Sequence, residues 1–454
     1  MRDHPTYKCP ALKHAVALTS ISDGTSFSSV TVCCPASNSS VGLSCENKTP
    51  EEKWYNNEVL VPLGSADDKH RLHSFDDIFI NRRNWANKDG YLNEIVCEEC
   101  TNNHAMFHQG NFSTWYAESR VVTDDESPKL VFLGPLLLES ICNFTCYICG
   151  SANSTQWASA VEPYTRQLKD ANLVESSSND NHINAWYNNK HLSLNKSYSE
   201  RIREVLLNSD LSQVRDVRLV GGEPLYGKMF AWFMDLLSKR ADLSEITLTF
   251  NTNISVFPSK GVLKILCKFK KVLILLSLDG IGELQETTRP GVSWDTTDSN
   301  VKKWIELRNL TGNIDLQVNI TLSILNVNKL DSILNYVLET ELINIRYTNS
   351  RSIVEFLIAS FVQDKPYLDS NLIPIDIREK WLLNEHSYNK EYLPLVQTLN
   401  NSLLVDREPS STIDRTLKYL DIVQKITNTD FSSANPELYN CLVKLNKQNE
   451  TQNR

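Results

Sequence analysis

Three closely spaced cysteines follow one of the most apolar stretches of the chain. Cys142, Cys146 and Cys149 have the spacing Cys-x3-Cys-x2-Cys. Three thiolates can hold three irons of a [4Fe–4S] cluster and leave the fourth iron open to a small ligand with an amine and a carboxylate. A structural zinc site instead needs four ligands that close a tetrahedron. A zinc knuckle completed by a histidine or a distant cysteine is therefore the alternative.

A glycine-rich turn follows the next apolar run. It contains Gly221, Gly222 and Glu223, followed by proline. The two glycines let backbone groups approach a ligand closely, and the glutamate offers an acceptor for an ammonium group. Such strand-to-helix turns are common, so the motif alone is weak evidence for a ligand site. Its position downstream of the cysteines strengthens that interpretation.

Two further apolar runs also end in polar residues. The run ending Phe-Asn-Thr-Asn places Asn253 at a turn, where it is either a ligand contact or a simple turn cap. The next run ends Ser-Leu-Asp-Gly, and strand alternation puts Ser277 and Asp279 on one face. Arg289 lies a little downstream and could pair with a carboxylate or lie on the surface.

Elements that position these residues alternate along the middle of the chain. The strand candidates are Leu130–Leu138, Val217–Val220, Ile246–Phe250, Val272–Leu278 and Leu316–Ile324. The helix candidates include Ser199–Leu207, Lys228–Leu237 and Leu330–Leu338. Alternation of this kind predicts an α/β fold with a parallel sheet, and right-handed crossovers lead to a barrel or partial barrel. Chemistry in such folds lies at the carboxyl ends of the strands, where the four motifs occur.

The order of these motifs resembles the radical S-adenosylmethionine (SAM) superfamily over roughly residues 128–345. The resemblance implies a partial (β/α)6 barrel whose [4Fe–4S] cluster reduces SAM, releasing methionine and a 5′-deoxyadenosyl radical. It implies that Gly221, Gly222 and Glu223 hold the SAM amino group, and that Asn253, Ser277 and Asp279 also bind the cofactor. Arg289 is a further candidate for cofactor binding, through its possible pairing with a carboxylate. The Ser-x-Asp-Gly motif is similar to that of peptide-modifying members.

Two positions depart from the family pattern. The family has a Thr-Asn-Gly turn, and Ile254 stands in place of its glycine. The family often has an aromatic residue immediately before the third cysteine, but here that residue is Ile148 and the aromatic is Tyr147. The ligands are intact, and we expect altered packing around adenine.

A second group of cysteines occurs near the N-terminus. Its candidate ligands for an auxiliary cluster are Cys9, Cys33, Cys34, Cys97 and Cys100, with Cys45 as a substitute for Cys33 or Cys34. The group resembles a twitch domain, the half-size relative of the SPASM domain, placed before the core. That resemblance implies a second iron–sulfur cluster, and structural zinc on the same sulfurs is the alternative. We therefore predict a cysteine-rich domain over 1–125, a radical SAM core over 126–345 and a mostly helical region over 346–454.

Composition restricts the partners. The 454 residues carry a formal charge of −9, which argues against nucleic acid. The apolar runs are shorter than the roughly 20 residues that span a bilayer, and no apolar signal core begins the sequence, so we predict a cytoplasmic protein without a membrane partner. Nine of the eleven cysteines occur in clusters, which suits metal binding in a reducing compartment.

The partners expected from the resemblance are a peptide or protein substrate and an electron donor such as flavodoxin or ferredoxin. Twitch and SPASM relatives often modify peptides. Two alternatives stay open: a radical SAM enzyme acting on a nucleoside or sugar, and a zinc-stapled binding protein that does not turn over SAM.

Overall fold

The computed structural model describes eight stretches of the chain. They are residues 15–18, 27–30, 61–64, 130–150, 153–173, 191–343, 357–361 and 365–452. The predicted N-terminal ligands Cys9, Cys33, Cys34, Cys97 and Cys100 lie outside the described residues, as does Cys45. The predicted auxiliary site therefore stays a prediction.

A parallel sheet of seven strands organises the described part of the chain, with strand order β1-β4-β5-β6-β7-β8-β9. Its strands are β1 (Ala15–Leu18), β4 (Phe132–Leu137), β5 (Asp216–Val220), β6 (Thr247–Thr252), β7 (Lys271–Ser277), β8 (Ile314–Leu322) and β9 (Leu357–Phe361). Two further strands, β2 (Phe27–Val30) and β3 (Val61–Gly64), form an antiparallel pair. The α/β class and the parallel sheet are confirmed, and all five predicted strands are present.

The outermost strands were not predicted. β1 pairs with β4, and β9 pairs with β8, both in parallel. The sheet therefore takes strands from all three predicted parts of the chain. The division of the chain near residues 125 and 345 stays a prediction.

Helices connect the strands and make up most of the C-terminal region. They are α1 (Thr155–Val161), α2 (Thr165–Asp170), α3 (His191–Asn208), α4 (Met229–Arg240), α5 (Lys260–Leu266), α6 (Glu283–Thr288), α7 (Trp294–Thr311), α8 (Leu330–Glu339), α9 (Ile375–Arg378), α10 (Leu393–Leu403), α11 (Ile413–Thr427), α12 (Phe431–Ala434) and α13 (Pro436–Gln452). Among the described helices, none has the length and apolar character needed to cross a membrane.

Alternation within the strands decides which side chains enter the core. In β8, Leu316, Val318 and Ile320 are buried in the apolar core, and the polar residues between them belong to the opposite face. Local signals fix the helix ends. For example, α7 begins at the side-chain cap of Ser293 and ends at Gly312, whose φ is +71°. Because the strands of the seven-stranded sheet are parallel, their carboxyl ends lie at one edge of the sheet.

Candidate active site

The cysteine triplet lies in the loop that leaves β4. The three thiols are free, and Cys146 is buried. The loop is held by backbone hydrogen bonds to the segment after α6. The N–H of Thr145 donates to the carbonyl of Pro290 (3.0 Å), and that of Tyr147 donates to Thr288 (2.9 Å). The segment around Arg289 therefore packs along one side of the cysteine loop.

Glu223 connects the glycine-rich turn to two other motifs. Its N–H donates to the carbonyl of Ile141 (2.8 Å), immediately before the first cysteine. Its carboxylate accepts from the N–H of Asn253 (2.5 Å), the hydroxyl of Thr252 (2.9 Å) and the N–H of Leu225 (3.1 Å). Three motifs that are far apart in sequence therefore meet at Glu223, through its backbone N–H and its buried carboxylate.

Asn253 continues this network to the first cysteine. Its amide donates to the side-chain oxygen of Asn143 (3.1 Å) and to the sulfur of Cys142 (3.7 Å). The Ser255 hydroxyl contacts both asparagines. It lies 3.2 Å from the side-chain oxygen of Asn143 and donates to that of Asn253 (2.6 Å). The Cys142 sulfur also accepts from the N–H of Phe144 (3.4 Å). Such donors favour a thiolate over a thiol.

The two glycines pack closely against β4 and the segment that leads from it to the cysteines. A Cβ on Gly222, whose φ is +56°, would lie 2.6 Å from the carbonyl oxygen of Ile141 and 2.8 Å from that of Glu139. A Cβ on Gly221, whose φ is +79°, would lie 2.2 Å from the side chain of Leu137. Because its neighbours are backbone carbonyls, Gly222 allows the turn to approach this segment only while it carries no side chain.

Ile254 adopts a backbone conformation that suits glycine. It is buried, and its φ of +68° lies in the left-handed region. This conformation costs an L-residue roughly 1–2 kcal/mol, and it is unusual for a β-branched side chain. A glycine, as in the resembled Thr-Asn-Gly turn, would adopt this conformation without that cost.

Asp279 and Arg289 form a buried ion pair. The Arg289 Nε donates to Asp279 Oδ2 at 2.5 Å, and the two side chains are 9% and 4% exposed. The other oxygen of Asp279 accepts from the N–H of Thr321 (2.6 Å). Arg289 is thus paired with a carboxylate and is not a surface residue.

Ser277 is buried at the end of β7, close to this pair in sequence. Its carbonyl accepts from the side-chain amide of Gln285 (3.2 Å), whose oxygen in turn accepts from the N–H groups of Asp279 and Gly280. Gln285 therefore fixes the turn that carries Ser277 and Asp279.

Burial and a neighbouring cation shift the pKa values of the thiols in opposite directions. Burial raises the pKa of Cys142 to about 12, and burial also raises the pKa of Cys146 well above its ordinary value. Arg289 opposes that rise at Cys146. Burial would lower the pKa of Arg289, but Asp279, Cys146 and Cys149 raise it. A bound metal centre deprotonates such thiols outright.

The thiols lie within electrostatic range of one another, because each of Cys142 and Cys149 raises the pKa of Cys146. Among the described residues, no group of three or more histidine, cysteine or acidic side chains is already arranged to hold a metal ion. Two N–H donors contact the Cys142 sulfur, and the buried Arg289 cation lies beside Cys146 and Cys149.

Burial also raises the pKa of Glu223, to about 7, although hydrogen bonds from Asn253, Leu225 and Thr252 oppose the rise. The folded chain thus holds this proton more tightly than the unfolded chain, whose pKa is near 4.5. The resulting stabilisation is complete below about pH 4.5 and is lost as the pH rises through about 7.

Glu223→Gln should therefore flatten the dependence of stability on pH. A pKa change of this size corresponds to roughly 3 kcal/mol. In urea unfolding of the iron-free chain, the loss of stability between pH 5 and pH 8 should be smaller by up to that amount in the variant. Glu450→Gln, at an exposed position on α13, is the control. An unchanged pH dependence in Glu223→Gln would show that Glu223 does not titrate in this range.

Several residues of the site carried no sequence signal. Ser255, Gln285 and Asn143 act through hydrogen bonds that no spacing reveals. Lys365 and Tyr419, from the C-terminal region, contact the backbone of the cysteine loop. The aromatic Tyr147, noted as a departure from the family pattern, is completely buried against this region.

Comparison with known proteins gives limited information. No protein-family model matches the sequence, and no curated protein matches it. Similar solved structures include Streptococcus suis SuiB bound to S-adenosylmethionine, at 16% identity over 55% of this chain and 42% of that chain, with a TM-score of 0.30. Native anSMEcpe with bound AdoMet is 16% identical over 60% of this chain and 58% of that chain, with a TM-score of 0.31.

Another structure shows SuiB bound to the precursor peptide SuiA, at 16% identity over 55% of this chain and 51% of that chain, with a TM-score of 0.26. These neighbours are radical SAM enzymes. The chain spans about half the length of the proteins it matches. Because the TM-scores are low, the activity of this chain has to be inferred from its own site.

Proposed function

We propose that the chain is a radical SAM enzyme with a [4Fe–4S] cluster on Cys142, Cys146 and Cys149. One observation carries the proposal. The asparagine turn and the Gly-Gly-Glu turn, which follow different strands, converge by hydrogen bonds on the loop that holds three free thiols. A simple strand-ending turn would not need these contacts. The sequential, all-parallel strand order supports a partial (β/α)6 barrel.

The residues of the chain hold and orient the reactants. When bound and reduced, the cluster would supply an electron to SAM, which releases methionine and a 5′-deoxyadenosyl radical. Arg289 places a positive charge beside Cys146 and Cys149, and Asp279 holds Arg289 there. Asn253 and the Phe144 N–H donate to the Cys142 sulfur. These groups stabilise the thiolate form of the ligands.

Glu223 and Ser277 are the proposed contacts for SAM itself. The Glu223 carboxylate accepts three donors from the protein, and a carboxylate has about four acceptor sites. One position thus stays available for the SAM ammonium. Gly221, Gly222 and Asn253 line this part of the proposed SAM site. Asp279 and Arg289 are its charged residues.

The proposed substrate is a peptide or protein, from which the radical abstracts hydrogen. The support is the resemblance of Ser277, Asp279 and Gly280 to the motif of peptide-modifying members of the superfamily. A flavodoxin or ferredoxin in the cytoplasm would provide the electron, in line with the abundance of clustered cysteines. A nucleoside or sugar substrate is the rival within the same chemistry.

Iron content tests both the core cluster and the proposed auxiliary cluster on Cys9, Cys33 or Cys34, Cys97 and Cys100. We expect the wild-type chain, reconstituted anaerobically, to bind about eight irons, the sum of two four-iron clusters. Replacement of Cys142, Cys146 and Cys149 with alanine should leave about half of that iron. Further replacement of Cys97 and Cys100 should remove the rest. Iron, sulfide and zinc are measured for each protein.

The possible outcomes separate the alternatives. If the triple variant contains one zinc and no iron, the N-terminal site is structural and its proposed role in electron transfer is wrong. If the wild-type chain binds zinc but no iron, the zinc-stapled binding protein replaces the radical SAM enzyme as the explanation of the sequence.

A further inference from the structure

A lysine from the C-terminal region reaches the backbone of the cysteine loop. The Lys365 ammonium donates to the carbonyls of Tyr147 (2.8 Å) and Cys149 (2.5 Å) and to the hydroxyl of Tyr419 (2.7 Å). It also lies over the rings of Trp157 (5.2 Å) and Tyr419 (4.8 Å). An ammonium group has three donors, enough for these three acceptors. Lys365 therefore connects the C-terminal region to the backbone of the cysteine loop at the third cysteine.

The same region fixes the middle of the loop. The hydroxyl of Tyr147 is 2.6 Å from that of Thr429, and its ring lies 6.5 Å from that of Phe431. The hydroxyl of Tyr419 donates to the carbonyl of Tyr147. This aromatic of the Cys-x3-Cys-x2-Cys motif is thus used to anchor the loop in the C-terminal helices.

The carbonyl of Cys149 also accepts from the indole N–H of Trp157. Two donors on one carbonyl fix the orientation of that peptide group. The orientation of the peptide group in turn limits where the Cys149 side chain can point. Cys142 is held differently, by Asn253 and the N–H of Phe144.

We propose that Lys365 is a positioning residue that directs the Cys149 thiol toward the cluster site. This inference rests on the proposed function, because the Cys149 thiol needs a fixed position only if it binds a metal. A lysine suits the role because its three donors diverge to three acceptors. The planar fork of an arginine does not match that arrangement.

Thiol reactivity of the full-length, iron-free chain tests this proposal. We compare Lys365→Met with Lys425→Met, since Lys425 forms an exposed pair with Asp421 on α11. Alkylation by iodoacetamide is followed by mass spectrometry at each cysteine, with the exposed Cys267 as internal standard. We expect alkylation of Cys149 to become about tenfold faster in Lys365→Met, as for the loss of a hydrogen bond to a charged group. Cys142 and Cys267 should keep their wild-type rates.

A second readout uses the reconstituted protein. Lys365→Met should lose iron from the core cluster to a chelator faster than Lys425→Met does, and Lys365→Arg should restore retention only in part. Unchanged alkylation of Cys149 would overturn the proposal. Equal acceleration at Cys142, Cys146 and Cys149, relative to the exposed Cys267, would also overturn it, because that pattern indicates general unfolding. If the wild-type chain takes up no iron, the proposed function fails, whereas the alkylation result still decides whether Lys365 positions the thiol.

Discussion

Replacement of Asp279 with asparagine is expected to lower the free energy of unfolding by about 3–5 kcal/mol, because it leaves the buried Arg289 without its counter-charge. The asparagine keeps a side-chain oxygen for the N–H of Thr321, so the loss reports the ion pair. Urea unfolding of the iron-free chain measures it. The same variant should reduce iron retention, since Arg289 lies beside two of the proposed ligands.

The control for this variant is Asp421→Asn. Asp421 pairs with Lys425 at 2.7 Å, but both side chains are more than half exposed. An exposed pair of this kind contributes at most about 0.5 kcal/mol. A loss below about 1 kcal/mol in Asp279→Asn, comparable to that of the control, would contradict the buried ion pair.

Replacement of Gly222 with alanine should be the second most damaging change. Overpacking against a backbone costs about 1–3 kcal/mol, and a left-handed conformation costs an alanine about 1 kcal/mol more. The new Cβ would meet the carbonyls of Ile141 and Glu139, which cannot move without moving the cysteine loop. We therefore expect a loss of roughly 2–4 kcal/mol together with loss of iron from the core site.

Gly150→Ala is the matched control, because a Cβ there meets nothing within 4 Å. It follows the third cysteine directly, so it alters the same loop. Its effect on stability should stay within about 0.5 kcal/mol. If the two alanine variants retain stability and iron equally, the close approach of the Gly-Gly-Glu turn to the loop is not needed.

The sequence predicted the strands that carry the motifs because each is an apolar run that ends in a polar turn. It also predicted that these ends meet, since parallel strands share one carboxyl edge. β1 and β9 were missed because neither is followed by one of the four motifs; β5 is as short as β9 but ends in the Gly-Gly-Glu turn. Their membership of the sheet follows from pairing with β4 and β8, which is a tertiary property.

Contacts within the site were likewise not predictable from the sequence, because they depend on tertiary structure. Glu223 and the asparagine turn were predicted to lie at the same edge of the sheet, but the hydrogen bond from the N–H of Asn253 to the Glu223 carboxylate could not be predicted from either motif alone. Lys365 lies 216 residues from Cys149, and a lone lysine at that distance has no pattern. Tyr147 was noted as a displaced aromatic, and only its contacts with Thr429 and Phe431 explain the displacement.

Formation of 5′-deoxyadenosine tests the central claim most directly. The wild-type chain, reconstituted with iron and sulfide and reduced by dithionite, is incubated anaerobically with SAM, and the product is quantified by chromatography. We predict that the wild-type chain forms 5′-deoxyadenosine and methionine, and that the variant with alanine at 142, 146 and 149 forms neither. Undiminished SAM cleavage by that variant, or no cleavage by an iron-loaded wild-type chain, would contradict the assignment of this loop as the catalytic centre.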